Sequence, residues 1–206
     1  MIENATRAPH PSSARATAPE PRSVALVAVF AALLVAAAVV PGIPVGGLGV
    51  PITLQTLAVM LTGLVLGPVR AVLAVLLYLV LGFVGLPVFS KGASGLQVLA
   101  GPSAGYLVAF VVAALVVGLA ARAVVRRARS SRWVPLLFLA AMLTSVLVVH
   151  PLGIVGMAVN GHLSLGAAAT IDLAFYPGDV LKNVVAAFAA SAVHRAFPDI
   201  LVRGAR

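Results

Sequence analysis

Six long apolar stretches alternate along the chain with short segments that are rich in glycine, proline or arginine. These stretches cover about residues 23–40, 51–66, 69–84, 103–125, 133–159 and 177–196. A bilayer core of about 30 Å requires about 17 to 25 apolar residues per helix, so the longer stretches can each cross a membrane. The second and third are short enough to form a tilted pair. The pattern therefore predicts an all-α integral membrane protein with a six-transmembrane-helix bundle.

Interruptions in this pattern indicate two further features. His150 precedes Pro151 within the fifth stretch, and we expect a break there because proline interrupts helical hydrogen bonding. A histidine inside a span can relay protons, but beside a proline we expect His150 to bond a carbonyl that the break sets free. Residues 162–176 are apolar but too short to cross comfortably, and we expect a short helix lying over the bundle.

Composition agrees with a single membrane domain, predicted at 23–197. Hydrophobic residues form 62% of the 206-residue chain and charged residues 9%, far from the averages of soluble domains. Residues 1–22 lack an apolar period and are typical of a disordered cytoplasmic tail, and 198–206 form a second cytoplasmic tail. The absence of cysteine excludes disulfides and thiolate metal sites, and we expect no bound metal.

The arginines predict the orientation of the bundle. With six spans both termini share one side, and that side receives every arginine: those of both tails, Arg70, and the cluster at 122–132. By the positive-inside rule this side is cytoplasmic, and both termini with it. Lys91 and Lys182 fall on the outer side. The net charge of +9 is therefore explained by membrane orientation, and we expect no nucleic-acid partner.

Polar residues accumulate on the predicted outer face. Two loops there, 42–56 and 85–106, are dense in glycine and proline. Irregular backbone in a membrane protein must lie outside the bilayer, inside the protein or against a water-filled site, so these loops are either solvated or folded over a cavity.

Asp179 and Lys182 stand at the start of the sixth span, in the string FYPGDVLKNVVAAF. Pro177 is typical of a first helical position, and a carboxylate in the first turn is favoured by the helix dipole. Residues three apart share a helix face, so both side chains can meet one small molecule. The alternative is a salt bridge between the two, which contributes little at an interface.

Small residues form a ridge on the first span. Ala28, Ala32 and Ala36 recur at four-residue intervals, a spacing that lets another helix approach closely. The alternative is packing within this chain.

Three motifs in this order resemble the biotin-transporter family BioY. They are VPITLQTLAVMLTGLVLGPVRAVLAVLLYLVLGFVGLPVFS at 50–90, LAGPSAGYLVAF at 99–110 and YPGDVLKNVVAA at 176–187. The resemblance covers about 24–197. Members of this family are substrate-binding S components of energy-coupling factor (ECF) transporters, so it implies the S-component topology with both termini cytoplasmic. Where relatives show PTGGY this chain has PSAGY, and its loop reads SKGASG, so Lys91 is either a replacement cation at a pocket rim or an ordinary loop charge.

For function, the resemblance implies high-affinity biotin capture and uptake across the bacterial cytoplasmic membrane. The partners that it implies are a transmembrane coupling protein and two ATPase subunits, with the alanine ridge docking onto the coupling protein. The chain has no GxxxxGK[ST] phosphate loop, so we expect no cofactor here and ATP bound only by the partner subunits.

The site residues that follow from this resemblance are Asp179, Lys182, Tyr106, Gln55 and Gln97. Asp179 can accept from the ureido N–H groups, and Lys182 can donate to the ureido carbonyl or neutralise the carboxylate. Tyr106 offers a ring and a hydroxyl, unless it is an interfacial anchor. Gln55 or Gln97 can complete the ureido contacts, unless each only caps a loop.

Two classes of alternative remain open. One is an S component for another small vitamin, or a biotin carrier that works without ATPase partners. The other is an intramembrane enzyme. The sequence argues against it because it has no cysteine, no HExxH motif and no paired catalytic carboxylates on facing spans. Its two candidate carboxylates, Asp172 and Asp179, share one outer segment. A channel is disfavoured because no polar stripe runs through successive spans.

Overall fold

The chain folds into a bundle of α-helices with one small hairpin. The computed structural model describes residues 20–45 and 50–201. In these ranges the helices are α1 (Pro21–Val39), α2 (Gln55–Leu66), α3 (Pro68–Phe83), α4 (Ala104–Arg127), α5 (Trp133–Thr144), α6 (His150–Asn160), α7 (Leu165–Asp172) and α8 (Tyr176–Ala196). Strands β1 (Ile43–Pro44) and β2 (Pro51–Ile52) pair antiparallel. Of the predicted tails, 1–19 and 202–206 lie outside the described residues.

The six predicted apolar stretches all form helices. The first four are α1 to α4, the fifth is α5 together with α6, and the sixth is α8. Among the described residues, three helical segments are long and apolar enough to cross a membrane: Pro21–Val39, Ala104–Arg127 and Ser130–Asn160. Helices α2 and α3 are shorter and apolar, as a tilted pair requires. The predicted all-α membrane fold with six helical spans is confirmed.

Helix α2 lies at the centre of the bundle and packs against α1, α3, α4 and α8. Gly67 ends it with a φ of 74°, a left-handed conformation that glycine adopts without a steric penalty. The chain then turns directly into α3. Gly118 of α4 packs against this turn so closely that an added Cβ would lie 2.6 Å from the backbone nitrogen of Pro68. This packing fixes α2, and with it the polar residues at its start.

The fifth span has no break at Pro151, contrary to the sequence prediction. It continues through a π-helical turn at Ser145–Val149 into α6. In a regular α-helix the proline ring would clash with the carbonyl four residues earlier and leave it unpaired. A wider turn just before Pro151 accommodates the ring, and π-helical turns of this kind are frequent at functional sites. The span therefore changes its helical register without ending.

Arginines gather at the end of the bundle that holds both described chain ends. Arg70 donates to the carbonyl of Ile200 and lies within electrostatic reach of Glu20 and Arg122. Leu201 is 1% exposed and packs against Gly67. Residues 198–201, predicted to start the C-terminal tail, thus pack on the bundle. Both described ends lie on one side, as six spans require.

The opposite end is covered by the hairpin, by the loop between α3 and α4, and by α7. Ser164 caps α7 by accepting a hydrogen bond from the backbone N–H of Ala167 at 3.2 Å. Ala168 and Asp172 are the buried residues of this short helix, which packs against α6. The short helix that we predicted over the bundle is found here, one turn before α8 begins.

Candidate binding site

A cavity lies at the covered end of the bundle, opposite the arginines. Its enclosed volume is about 70 Å³, and the atom-free space reaches about 650 Å³ when the open mouth is included. Residues of both outer loops form part of its wall, so these loops fold over a cavity and are not merely solvated. The lining is mostly apolar with a smaller set of polar side chains, and consists of Val50, Pro51, Thr53, Gln55, Thr56, Phe89, Ser90, Ala93, Val98, Ser103, Tyr106, Leu107, Phe110, His150, Phe175, Asp179 and Lys182.

Asp179, Lys182 and Thr56 form a compact polar cluster on the cavity wall. Lys182 Nζ donates to Asp179 Oδ1 at 2.8 Å, and both residues are buried, at 8% and 3% exposure. Thr56 Oγ1 accepts from Lys182 Nζ at 3.0 Å and donates to Asp179 Oδ1 at 3.0 Å. Asp179 and Lys182 therefore form the salt bridge that the sequence offered as one alternative, and both side chains also line the cavity.

The local sequence explains how α8 presents this cluster. Helix α8 begins at Tyr176 with Pro177 in its first turn, where the missing N–H has no helical partner. Asp179 follows in the same turn, next to the free N–H groups of the helix start. Lys182 lies one turn further along on the same face. A Cβ at Gly178 would lie 3.9 Å from Lys182 Cε, an ordinary contact, so the lysine does not depend on a glycine at this position.

His150 and Asp172 join this cluster, which sequence reasoning missed. His150 Nδ1 lies 2.8 Å from Asp172 Oδ2, and Nε2 lies 3.5 Å from Asp179 Oδ2. The expectation that His150 bonds a freed carbonyl is wrong, because the π-helical turn accommodates the proline and directs the ring into the bundle. Asp172 and Asp179 share an outer segment, but α7 and α8 bring their carboxylates to one histidine. The sequence did contain a signal for these residues: ionisable side chains are costly inside a membrane protein and therefore point to a functional site.

Tyr106 connects α4 to the same network. Its hydroxyl donates to Asp172 Oδ1 at 2.6 Å, and its ring is 7% exposed. A side chain at Gly153 would overlap this ring, so the glycine provides the space in which the ring lies. A buried ring with a buried partner is not an interfacial anchor. Tyr106 thus lines the cavity, while its hydroxyl is already engaged.

Gln55 and Gln97 have different surroundings. Gln55 is 6% exposed and lines the cavity; its Nε2 donates to Tyr78 Oη at 2.8 Å, and its Oε1 accepts from Thr53 Oγ1 at 3.0 Å. Gln97 is exposed, does not line the cavity and folds back against Gly95. The left-handed φ of 75° at Gly95 starts the turn that sends Gln97 to the surface. The geometry therefore opposes a role for Gln97 in the cavity.

The predicted docking ridge faces away from the bundle. Ala28, Ala32 and Ala36 are all exposed on α1, whereas Ala31 and Leu34 of the same helix are buried. Packing within the described part of this chain therefore does not use the ridge. In the described ranges no three His, Asp or Glu side chains are arranged to hold a metal ion.

Comparisons with known proteins agree on one family. The model of the BioY family matches residues 9–199. The chain is 41% identical over 183 residues to the biotin transporter BioY of Rhizobium etli, covering 88% of this chain and 98% of that protein. It is also 41% identical to the biotin transporter BioY of Rhodobacter capsulatus, over 89% of this chain and 99% of that protein.

A solved structure has the same fold. It is a crystal structure of the S component for biotin from an ECF-type ABC transporter, with a TM-score of 0.75. The sequence identity is 24%, and the match covers 84% of this chain and 91% of that chain. At this identity the likeness concerns the arrangement of the helices.

Proposed function

The chain belongs to the BioY family, and on that premise we propose that it captures biotin in the cavity described above. It would do so as the substrate-binding S component of an ECF transporter in the bacterial cytoplasmic membrane. The observation that carries this proposal is the pairing of Asp179 and Lys182 among the polar residues of a largely apolar cavity. The family resemblance found in the sequence is confirmed.

The chemistry of biotin matches the two kinds of lining residue. Biotin carries a ureido ring with two N–H donors and one carbonyl acceptor, an apolar bicycle and chain, and a carboxylate. Asp179 is buried and its oxygens accept only, so it suits the ureido N–H groups. The aromatic rings of Phe89, Phe110 and Phe175 offer an apolar surface to the bicycle. Lys182 suits either the ureido carbonyl or the carboxylate, and the proposal requires only one of these contacts.

The orientation follows from the charges. With the arginine-rich end in the cytoplasm, the cavity opens toward the outer side, where a scarce vitamin must be captured. Delivery to the cytoplasm then needs a source of energy outside this chain. We assign it to a coupling protein and two ATPase subunits, and we assign the docking of the coupling protein to the exposed ridge of Ala28, Ala32 and Ala36. The chain itself would carry biotin as ligand and no cofactor.

Calorimetric titration of biotin into the detergent-solubilised protein tests the proposal. We expect Asp179→Asn and Lys182→Ala each to weaken binding by about 10- to 100-fold, because each removes a hydrogen bond to a charged group worth about 1.5 to 3 kcal/mol. Lys91→Ala is the matched control, since Lys91 is exposed and does not line the cavity.

Two results would contradict the proposal at different levels. Wild-type affinity in both cavity variants would refute the site, even if biotin binds. Failure of the wild-type protein to bind biotin, with binding of another vitamin from a panel, would refute the substrate and leave the fold and family untouched.

A further inference from the structure

His150 lies between two buried carboxylates, one from α7 and one from α8. The ring is 1% exposed, and Asp172 and Asp179 are 0% and 3% exposed. The contacts are 2.8 Å from Nδ1 to Asp172 and 3.5 Å from Nε2 to Asp179. Within the described residues neither ring nitrogen has a hydrogen-bond partner of regular geometry. The ring therefore lies within ion-pair distance of both carboxylates.

The chemistry of imidazole decides which form suits this position. A neutral ring has one N–H donor and one nitrogen lone pair, whereas carboxylate oxygens accept only. A neutral His150 would thus direct a lone pair at one of the two carboxylates. The protonated ring presents an N–H on both sides. It also lies flat on Tyr176, with centroids 4.0 Å apart and planes at 10°, and a cation over an aromatic face is attracted to it.

One proton on the ring or on either carboxyl group balances the charges of the cluster, and the ring is the natural position because imidazole is intrinsically more basic than a carboxylate. The ionisable groups that surround it are Tyr106 from α4, Asp172 from α7, and Tyr176, Asp179 and Lys182 from α8. With neutral tyrosines, Lys182 offsets one of the two carboxylates. A protonated His150 offsets the other, and a buried charge without a partner is strongly unfavourable. The described cluster is then neutral as a whole.

We propose that His150 is an imidazolium in the resting site and acts as a positioning residue for biotin binding. It faces Asp172 and Asp179 at the same time, and it holds Asp179 Oδ2 while Thr56 and Lys182 hold Oδ1. The carboxylate that meets the ureido group is thereby oriented before the ligand arrives. Through Asp172 the same ion also ties α7 to Tyr106 of α4. The role in binding rests on the proposed function, but the protonation state does not.

Paired substitutions can test whether the charge of His150 matters. If the residue served only to fill space, neutralising a neighbouring carboxylate would not restore the binding that its replacement removes. His150→Asn leaves the cluster with one excess negative charge and Asp172→Asn with one excess positive charge, whereas the double variant is neutral again. We expect each single variant to weaken biotin binding at least about tenfold and the double variant to recover most of that loss. A double variant as weak as the weaker single variant would overturn the proposal.

A spectroscopic measurement stands independently of ligand binding and of variant folding. We expect the ¹⁵N NMR spectrum of histidine-labelled wild-type protein at neutral pH to place both ring nitrogens of His150 at imidazolium positions. The resonances are assigned by their loss in His150→Asn, or by elimination with variants of the other histidines. Resonances of a neutral tautomer would refute the imidazolium. If the wild-type protein fails to bind biotin, the proposed function falls while the spectrum still decides the state of His150.

Discussion

Replacing Thr56 by valine removes one hydroxyl from the centre of the polar cluster and preserves the shape of the side chain. That hydroxyl accepts from Lys182 Nζ and donates to Asp179 Oδ1, each at 3.0 Å. Both partners are charged and largely buried. The substitution therefore isolates the contribution of one neutral group to the orientation of two charged ones.

The size of the effect follows from these two contacts. A hydrogen bond to a charged group contributes about 1.5 to 3 kcal/mol. The direct contact between Lys182 and Asp179 at 2.8 Å survives the substitution, so the loss falls well short of twice that figure. Because both bonds exist with and without biotin, only the part that orients the charged pair enters binding; we take about 1.4 kcal/mol, which corresponds to about a tenfold weaker affinity for biotin.

Thr62→Val is the matched control on the same helix. Thr62 is fully buried, but its hydroxyl donates to the carbonyl of Ala58 at 2.6 Å, away from the cavity. The assay is calorimetric titration of biotin into each purified variant, with size-exclusion profiles to verify folding. An affinity of folded Thr56→Val within about threefold of wild type, less than 1 kcal/mol, would refute the idea that Thr56 orients the charged pair.

Three further substitutions probe the packing, the docking ridge and the loop. Gly118→Ala should lower the melting temperature, because overpacking typically destabilises by about 1 to 3 kcal/mol, whereas Gly166→Ala, with open space around it, should not; equal thermal shifts would contradict the close packing. Ala32→Trp should abolish uptake in cells without weakening biotin binding, whereas Val108→Trp on the exposed surface of α4, 53% exposed before substitution, should leave uptake intact. Loss of binding in Ala32→Trp would indicate a folding role instead. Gln97→Ala should leave the affinity for biotin unchanged. A weaker affinity would mean that Gln97 contributes to biotin binding after all.

Most of the fold could be predicted because its determinants are local in the sequence. Apolar stretches of span length are bounded by Gly67, by Pro68 and by the arginine cluster that follows α4. The one-sided distribution of arginine agrees with six spans, because an even number places both tails on one side. The π-helical turn at Ser145–Val149 could not be anticipated, because proline is compatible with a kink, a break or a wider turn, and the packing around it selects among these.

Part of the cavity wall could be anticipated from the sequence. Asp179 and Lys182 could be paired because positions three apart share a helix face, and both line the cavity. The neighbours of His150 could not be predicted from one sequence, since its contacts depend on how α6, α7 and α8 pack together. Gln97 lies outside the cavity for a similar reason: a polar residue in a glycine-rich loop points inward or outward according to a single backbone turn.

The wide turn at Ser145–Val149 also sets the phase of the fifth span. It accommodates one more residue than an α-helical turn would, so α5 and α6 are rotated relative to each other by the angle of one residue, about 100°. Asn183 of α8 donates to Ser145 within this turn at 3.0 Å, which anchors it from the neighbouring helix. Removing one residue from the turn would take away the wide turn, and Pro151 would then have to kink the span. His150 would then point a quarter-turn or more away from Asp172 and Asp179, although every residue of the binding cluster would still be present.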